Sequence, residues 1–172
     1  VMQFAMLPLQ GIAQGAQPIT SYNFGARNTK RVKQTFKCLL LVSVLYSTLL
    51  WAMIQLFPQT FAAIFTPNAE LIDFTARAMR VYFAVLLIFG IQIACQMTFV
   101  SIGNAVSSII VAVMRKFVLL LPLIYMMPNL VADKTMGVYM AEPIADTIAV
   151  TFTCVLFFFQ FRTALAKVEQ GA

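Results

Sequence analysis

Apolar and polar positions in this chain alternate on the scale of whole helices. A bilayer-spanning helix needs about 20 mostly apolar residues at 1.5 Å rise each. The pattern predicts five such helices: Met2 to Phe24, Cys38 to Phe57, Phe74 to Ser101, Ala105 to Met127 and Met136 to Phe161. The second is free of charge, and the third carries charges only in its first two turns. The uncharged sequence from Val81 to Met114 is too long for one span. Ser101-Ile102-Gly103-Asn104 predicts the turn that divides it, because glycine and asparagine favour turns. The fold class is therefore all-α, a polytopic transmembrane helical bundle of about five spans, with residues 1–172 as a single domain. The connection from Pro58 to Glu70 is apolar for a loop, and Phe57, Phe61 and Phe65 are expected to lie along the outer interface as a short amphipathic turn.

The polar residues within the spans are not scattered. Gln3, Gln10, Gln14, Gln17 and Ser21 fall within about 60° of one another at 100° per residue. Beside them run Pro8, Gly11, Gly15 and Pro18. The glycine pair is a small-xxx-small arrangement that admits a neighbouring helix closely. The prolines free backbone carbonyls, which is tolerable where protein or water satisfies them. Two readings of the amides stand: helix–helix glue, or one wall of a water-filled cavity. Gln92 and Gln96, one turn apart in the third span, are further cavity-facing candidates.

Charge sets the orientation. The stretch after the first span holds Arg27, Lys30, Arg31, Lys33 and Lys37. If Arg115 and Lys116 mark the junction of the third and fourth spans, they join this side, as do Arg162 and Lys167 in the tail. Arg77, Arg80 and Lys134 lie opposite, offset by Glu70, Asp73 and Asp133. This nine-to-three split predicts a cytoplasmic basic loop and a cytoplasmic C-terminus. Arg115 is then expected to anchor the fourth span at the interface.

Composition narrows the class. The chain is 61% apolar and only 10% charged, against about 25% charged in soluble domains. Its net charge of +6 does not indicate nucleic acid, because the cations flank apolar spans. The chain opens on Val1 with no cationic leader, so it is expected to start partway through a larger protein. Cys38, Cys95 and Cys154 each sit in an apolar segment and read as packing residues. Histidine is absent, which removes the commonest metal ligand and general base. No nucleophile–base pair, phosphate loop or metal cluster appears, so no cofactor and no enzymatic activity is expected.

Glu142 and Asp146 in the fifth span lie one turn apart around Pro143, on the face that also carries Thr153 and Gln160. Intramembrane acids are costly and are functional candidates by default. Placed near a helix start, they also read as ordinary N-terminal acids beside a first-turn proline. Both readings, structural acids and ion coupling, stand.

The run QGAQPITSYNFGARNTKRV resembles the eighth helix and following loop of multidrug and toxic compound extrusion (MATE) transporters, in their MepA/DinF-like branch. TFVSIGNAV is similar to the end of the tenth helix, MRKFVLLLPLIY to the eleventh and MGVYMAEPIADTIAV to the start of the twelfth. The resemblance covers nearly the whole chain. It implies helices eight to twelve of a twelve-helix fold, most of a C-terminal lobe without its N-terminal partner lobe. Gln14, Gln17, Tyr22, Asn23 and Gly25 match the eighth-helix motif and its turn.

The family implied exports cationic or amphipathic small molecules in exchange for protons or sodium ions, as a multi-pass protein of the bacterial cytoplasmic membrane. Membrane lipid, substrate and the missing lobe are then the expected partners. A lipid-linked sugar flippase of the same superfamily is one alternative, disfavoured because the cations sit at span ends. A non-transporting structural subunit is the other.

Overall fold

The computed structural model describes residues 2–130 and 134–170; Val1 and Asp133 lie outside the described residues, as do the side chains of Gln3 and Lys134. The described residues form helices joined by short turns, with no strand among them.

Helix α1 (Met2–Gly25) runs unbroken through Pro8 and Pro18. It ends one residue beyond the predicted limit at Phe24. The Ala26 amide returns to the Tyr22 carbonyl and the Asn28 amide to the Asn23 carbonyl, each at 2.9 Å. Arg27, not the nearby glycine, takes the left-handed conformation, with φ 57°. This is a Schellman-like closure, which satisfies carbonyls that the helix end leaves bare. Asn28 then caps α2 (Thr29–Leu56) by accepting from the Arg31 amide at 3.1 Å.

The apolar connection is the six-residue helix α3 (Pro58–Ala63), opened by its proline. Phe57 and Phe65 are exposed, whereas Phe61 packs on the core. The expected third span is broken. Helix α4 (Ala69–Tyr82) and helix α5 (Leu86–Ser101) meet at a 48° bend. Three-residue hydrogen bonds across the bend, such as Leu86 amide to Phe83 carbonyl at 3.0 Å, keep its backbone satisfied. The predicted division at residues 101–104 is present. Gly103 has φ 77°, a conformation that favours glycine, and Asn104 caps the next helix.

That helix is continuous in three parts: α6 (Ala105–Val113), a π-helical segment (Met114–Leu120) and α7 (Leu121–Leu130). Pro122 has no amide hydrogen for the Val118 carbonyl, which accounts for irregular winding just before it. Helix α8 (Lys134–Gln170) is the longest, at 37 residues. By length and apolar composition α2, the 105–130 helix and α8 qualify as membrane spans, and the bent α4–α5 pair makes four. The expected fifth, α1, is 24 residues long, but its glutamines take it below that apolar standard.

Helix α5 is the centre of the bundle. It packs on α1, α2, α6 and α8. Toward one end its contacts form a core of Leu9, Ile54, Met79, Phe83, Leu86 and Phe89. Toward the other they join Cys95, Phe99, Ile102 and Phe157. Hydrogen bonds align the ends. The Ser21 hydroxyl donates to the Ser101 carbonyl at 2.8 Å, and the Asn104 amide donates to Gln160 Oε1. The α1–α2 turn, the α5–α6 turn and the C-terminal part of α8 therefore share one end of the bundle.

The tightest crossing is α2 against α5. A Cβ on Gly90 would lie 2.5 Å from the Ser43 carbonyl oxygen and 2.7 Å from Ser47 Oγ. The Ser47 hydroxyl shares its proton between the Val44 and Leu87 carbonyls, 3.1 Å from each. Gly90→Ala forces these backbones apart, and overpacking of this kind costs about 1–3 kcal/mol. The expected outcome is a fall of several degrees in Tm, followed by circular dichroism in detergent. An unchanged Tm would show that the crossing yields freely.

Candidate functional site

Two polar features stand apart from this apolar frame. The first is the outward face of α1. Its inward face is Met6, Leu9, Ala13 and Thr20, all buried. Roughly a quarter-turn around the helix from that face, at 100° per residue, Gln10 and Gln14 are exposed and Gln17 is half-buried. None of the three amides has a hydrogen-bond partner among the described residues. Gly11 and Gly15 face open space, so no described helix uses the small-residue pair. Pro18 removes the amide that would bond the Gln14 carbonyl, adding a bare acceptor to the same face. Ser21 differs from its stripe-mates, since its hydroxyl is committed to Ser101.

Tyr22 projects outward, Asn23 Nδ2 donates back to the Ile19 carbonyl at 2.8 Å, and Gly25 ends the helix. In α5, Gln96 is half-buried, whereas Gln92 is enclosed within the bundle. Gln92 Oε1 is buried without a hydrogen-bond partner.

The second feature is a charge cluster deep in the bundle. Arg115 lies eleven residues beyond the 101–104 turn, about 16 Å along the helix axis. That is near the middle of a hydrocarbon core about 30 Å thick. The expectation of an interfacial anchor is corrected accordingly. Arg115 Nε donates to Asp146 Oδ1 at 2.5 Å, and its Nη2 lies 3.6 Å from Glu142 Oε1. The Arg115 side chain is 15% exposed and that of Asp146 only 3%. Lys116 Nζ also lies 3.6 Å from Glu142 Oε1, from a more exposed position.

The acids are not at a helix start. Helix α8 begins at Lys134, and Pro143 is inside it. Glu142 and Asp146, four residues apart, therefore project from one face at interior depth, where a single guanidinium bridges them. Phe89 of α5 supplies a third side, its ring centroid 4.6 Å from Arg115 Cζ. The cluster counts two cations and two carboxylates, with no formal charge left over. A cleft of about 10 Å³ beside the acids holds one water at most. Arg115 sits near the start of the π-helical segment, where the backbone departs from α-helical register.

Farther along the same face of α8, Thr153 bonds the Ala149 carbonyl at 2.7 Å, and Gln160 accepts from Asn104 and Ser107. The face thus meets the preceding span at two heights, at its mid-depth and at its turn. Sequence reasoning missed the pairing. The signal was present as two adjacent cations inside one apolar span and two acids one turn apart in the next. Among the described residues no cluster fit to hold a metal occurs.

Residues 1–126 match the family model described as MatE. The chain belongs to the MatE family. Its backbone is similar to that of the MATE multidrug transporter DinF-BH, solved in complex with a small-molecule ligand, at 32% identity and a TM-score of 0.86. That likeness covers 95% of this chain and 36% of DinF-BH. An inward-facing multidrug resistance MATE family transporter of the MOP superfamily matches at 18% identity and a TM-score of 0.83, over 98% of this chain and 38% of that one. An outward-facing form matches at 19% identity and 0.82, over 98% and 37%. These last two carry the fold alone. No curated protein matches the chain. This MatE chain thus spans little more than a third of the solved transporters it resembles. It is a multi-pass membrane protein.

In Arg115→Gln, the two acids lose their shared partner. Breaking a buried pair costs about 3–5 kcal/mol, so the variant is expected to lose thermal stability and monodispersity in detergent. The exchange Arg115→Asp with Asp146→Arg is expected to recover part of the loss. A double variant no better than either single change would show that these two side chains do not pair.

Proposed function

We propose that the chain is most of the C-terminal lobe of a cation-coupled multidrug exporter that works by alternating access. The observation that carries this reading is the outward face of α1. A membrane helix presents Gln10, Gln14 and Gln17 with no partner among the described residues, at a cost lipid would not repay. Water, substrate and the facing lobe can satisfy them. Amides donate and accept without fixed charge, which suits varied substrates.

A further observation supports it. The acids of the interior cluster are matched charge for charge by Arg115 and Lys116. This favours Glu142 and Asp146 as a neutral strut and supports the reading in which the acid that couples export to protons or sodium ions belongs to the other lobe. A flippase for a pyrophosphate-linked sugar would be expected to line its path with cations, and the described residues of α1 hold none. With Arg115 and Lys116 assigned to the interior, seven cations remain on the side of the α1–α2 turn and three opposite. That ratio still favours a cytoplasmic C-terminus in a bacterial plasma membrane.

Cysteines introduced at Gln10 and Gln14 of the complete transporter are expected to react with membrane-impermeant thiol reagents, and the compound bound in the DinF-BH structure is expected to slow the reaction. Failure of both positions to label in every state removes the basis for a cavity wall. Cells making the 172-residue chain alone are expected to show no gradient-dependent export of that compound; robust export would refute the need for a second lobe.

A further inference from the structure

A groove of about 720 Å³ opens between α2, α5 and α8, with no residue of α1 in its lining. It lies at the end of the bundle shared by the α1–α2 turn and the C-terminal part of α8. Its volume is within the range of ligand sites, about 300–1,000 Å³. The walls are aromatic. Phe36 of α2 stacks on Phe157 of α8 at 4.7 Å between centroids, and Phe157 stacks on Phe161 at 4.7 Å. Phe158 of α8 also lines the groove and is more than half exposed. Stacked rings braced from two helices form a standing wall, because each blocks the other from collapsing inward.

The mouth has the opposite character. Lys37 of α2 and Arg162 of α8 line it, with Lys33 one turn before Lys37, and no acid is among the described residues that line the groove. The Arg162 guanidinium lies 5.2 Å over the Phe158 ring, which directs a cation onto the rim of an apolar slot. A cationic drug would meet the like charges of Lys37 and Arg162 there. The complementary occupant is an amphiphile with a negative head and an apolar tail.

We propose that this groove is a specific site for an anionic phospholipid, with its phosphate held by Lys37 and Arg162 and an acyl chain lying along Phe36, Phe157 and Phe158. The inference requires only a membrane-embedded chain and is independent of the export reading. No residue of α1, and so none of its amide face, takes part in the site. By tying the start of α2 to the end of α8, the lipid braces the two helices across α5. A basic residue near the membrane surface contributes about 1 kcal/mol toward an anionic headgroup. Two around one phosphate predict at least about a tenfold preference over a zwitterionic lipid.

The test uses the complete transporter with Trp51→Phe and Phe158→Trp, which leaves a reporter in the groove as this chain's only tryptophan. Tryptophans outside this chain are replaced likewise. The protein is reconstituted in phosphatidylcholine bilayers doped with brominated phosphatidylglycerol or, at equal mole fraction, brominated phosphatidylcholine. Brominated phosphatidylglycerol is expected to quench the reporter several times more strongly. Lys37→Gln with Arg162→Gln is expected to bring quenching down to the phosphatidylcholine level with little change in Tm. A reporter at Leu49→Trp, on an exposed stretch of α2 remote from the groove, is expected to show no preference.

Equal quenching by the two lipids overturns the proposal. So does preference that survives the double substitution, or that appears equally at position 49, which would mean general enrichment around a basic protein. Absence of quenching by either lipid means that another helix or a second copy covers the groove, and also overturns it. Glycerol 3-phosphate is expected not to displace the lipid; displacement would place the affinity in the anion alone and refute a two-part site.

Discussion

The bundle depends on how closely one helix can approach another at Gly90. Helices in lipid gain little from hydrophobic burial against each other, because lipid is as apolar as they are. Close backbone contact and interhelical hydrogen bonds must hold them instead. Ser43, Ser47 and Gly90 provide both at one point. Because α2 and α5 meet there without side chains between them, α5 is set deep enough to touch α1, α6 and α8 as well. The residue before Gly90, Phe89, then turns its ring toward Arg115 on another side of the helix. One small residue thus positions both the backbone of the central helix and a wall of the charge cluster.

The cluster follows a different rule, that a charge in the bilayer must be neutralised close by. Arg115 meets that rule by bridging two carboxylates at once, while Lys116 completes the balance. The segment bearing these cations is otherwise poorly packed, with Val106, Ile109, Phe117 and Tyr125 exposed. Its attachment rests largely on α8, through the charges at mid-depth, the Asn104–Gln160 contact at the turn and, at the far end, the close packing of α7 on α8 where Gly137 meets the Met127 backbone. Polar contacts here add to backbone packing.

Much of this was legible from the chain itself. The amide stripe, the basic turn and the division at Gly103-Asn104 all rest on local chemistry, and each is present; the connection after Pro58, expected as a short amphipathic turn, is a six-residue helix with Phe61 against the core. The misreadings share one cause. In a one-dimensional pattern a charge inside an apolar run looks like the end of that run, so Arg115 read as a boundary. Its partner Asp146 lies 31 residues away in sequence, and only the folded bundle brings the two together. The same applies to Glu142 and Asp146, for which one of the two open readings was ordinary acids near a helix start; α8 begins at Lys134, well before them. The bend at residues 83–85 contains neither proline nor glycine and so carried no local signal. Gly11 and Gly15 were legible as a packing surface, yet their neighbour is not among the described residues.

The order of these charges along the chain has a consequence for synthesis. The span that carries Arg115 and Lys116 leaves the ribosome before the span that carries their acids. Each cation at the centre of a lone helix opposes insertion by about 2.5–3.5 kcal/mol. At about 5–20 residues per second, the 31 residues separating Arg115 from Asp146 take roughly 2–6 s to arrive. A helix that entered lipid at once would carry both charges unneutralised for that interval. Entry of the last two spans together, as a preassembled hairpin, removes the penalty. The ion pairs that hold the finished bundle thereby also set the order in which its parts can be built.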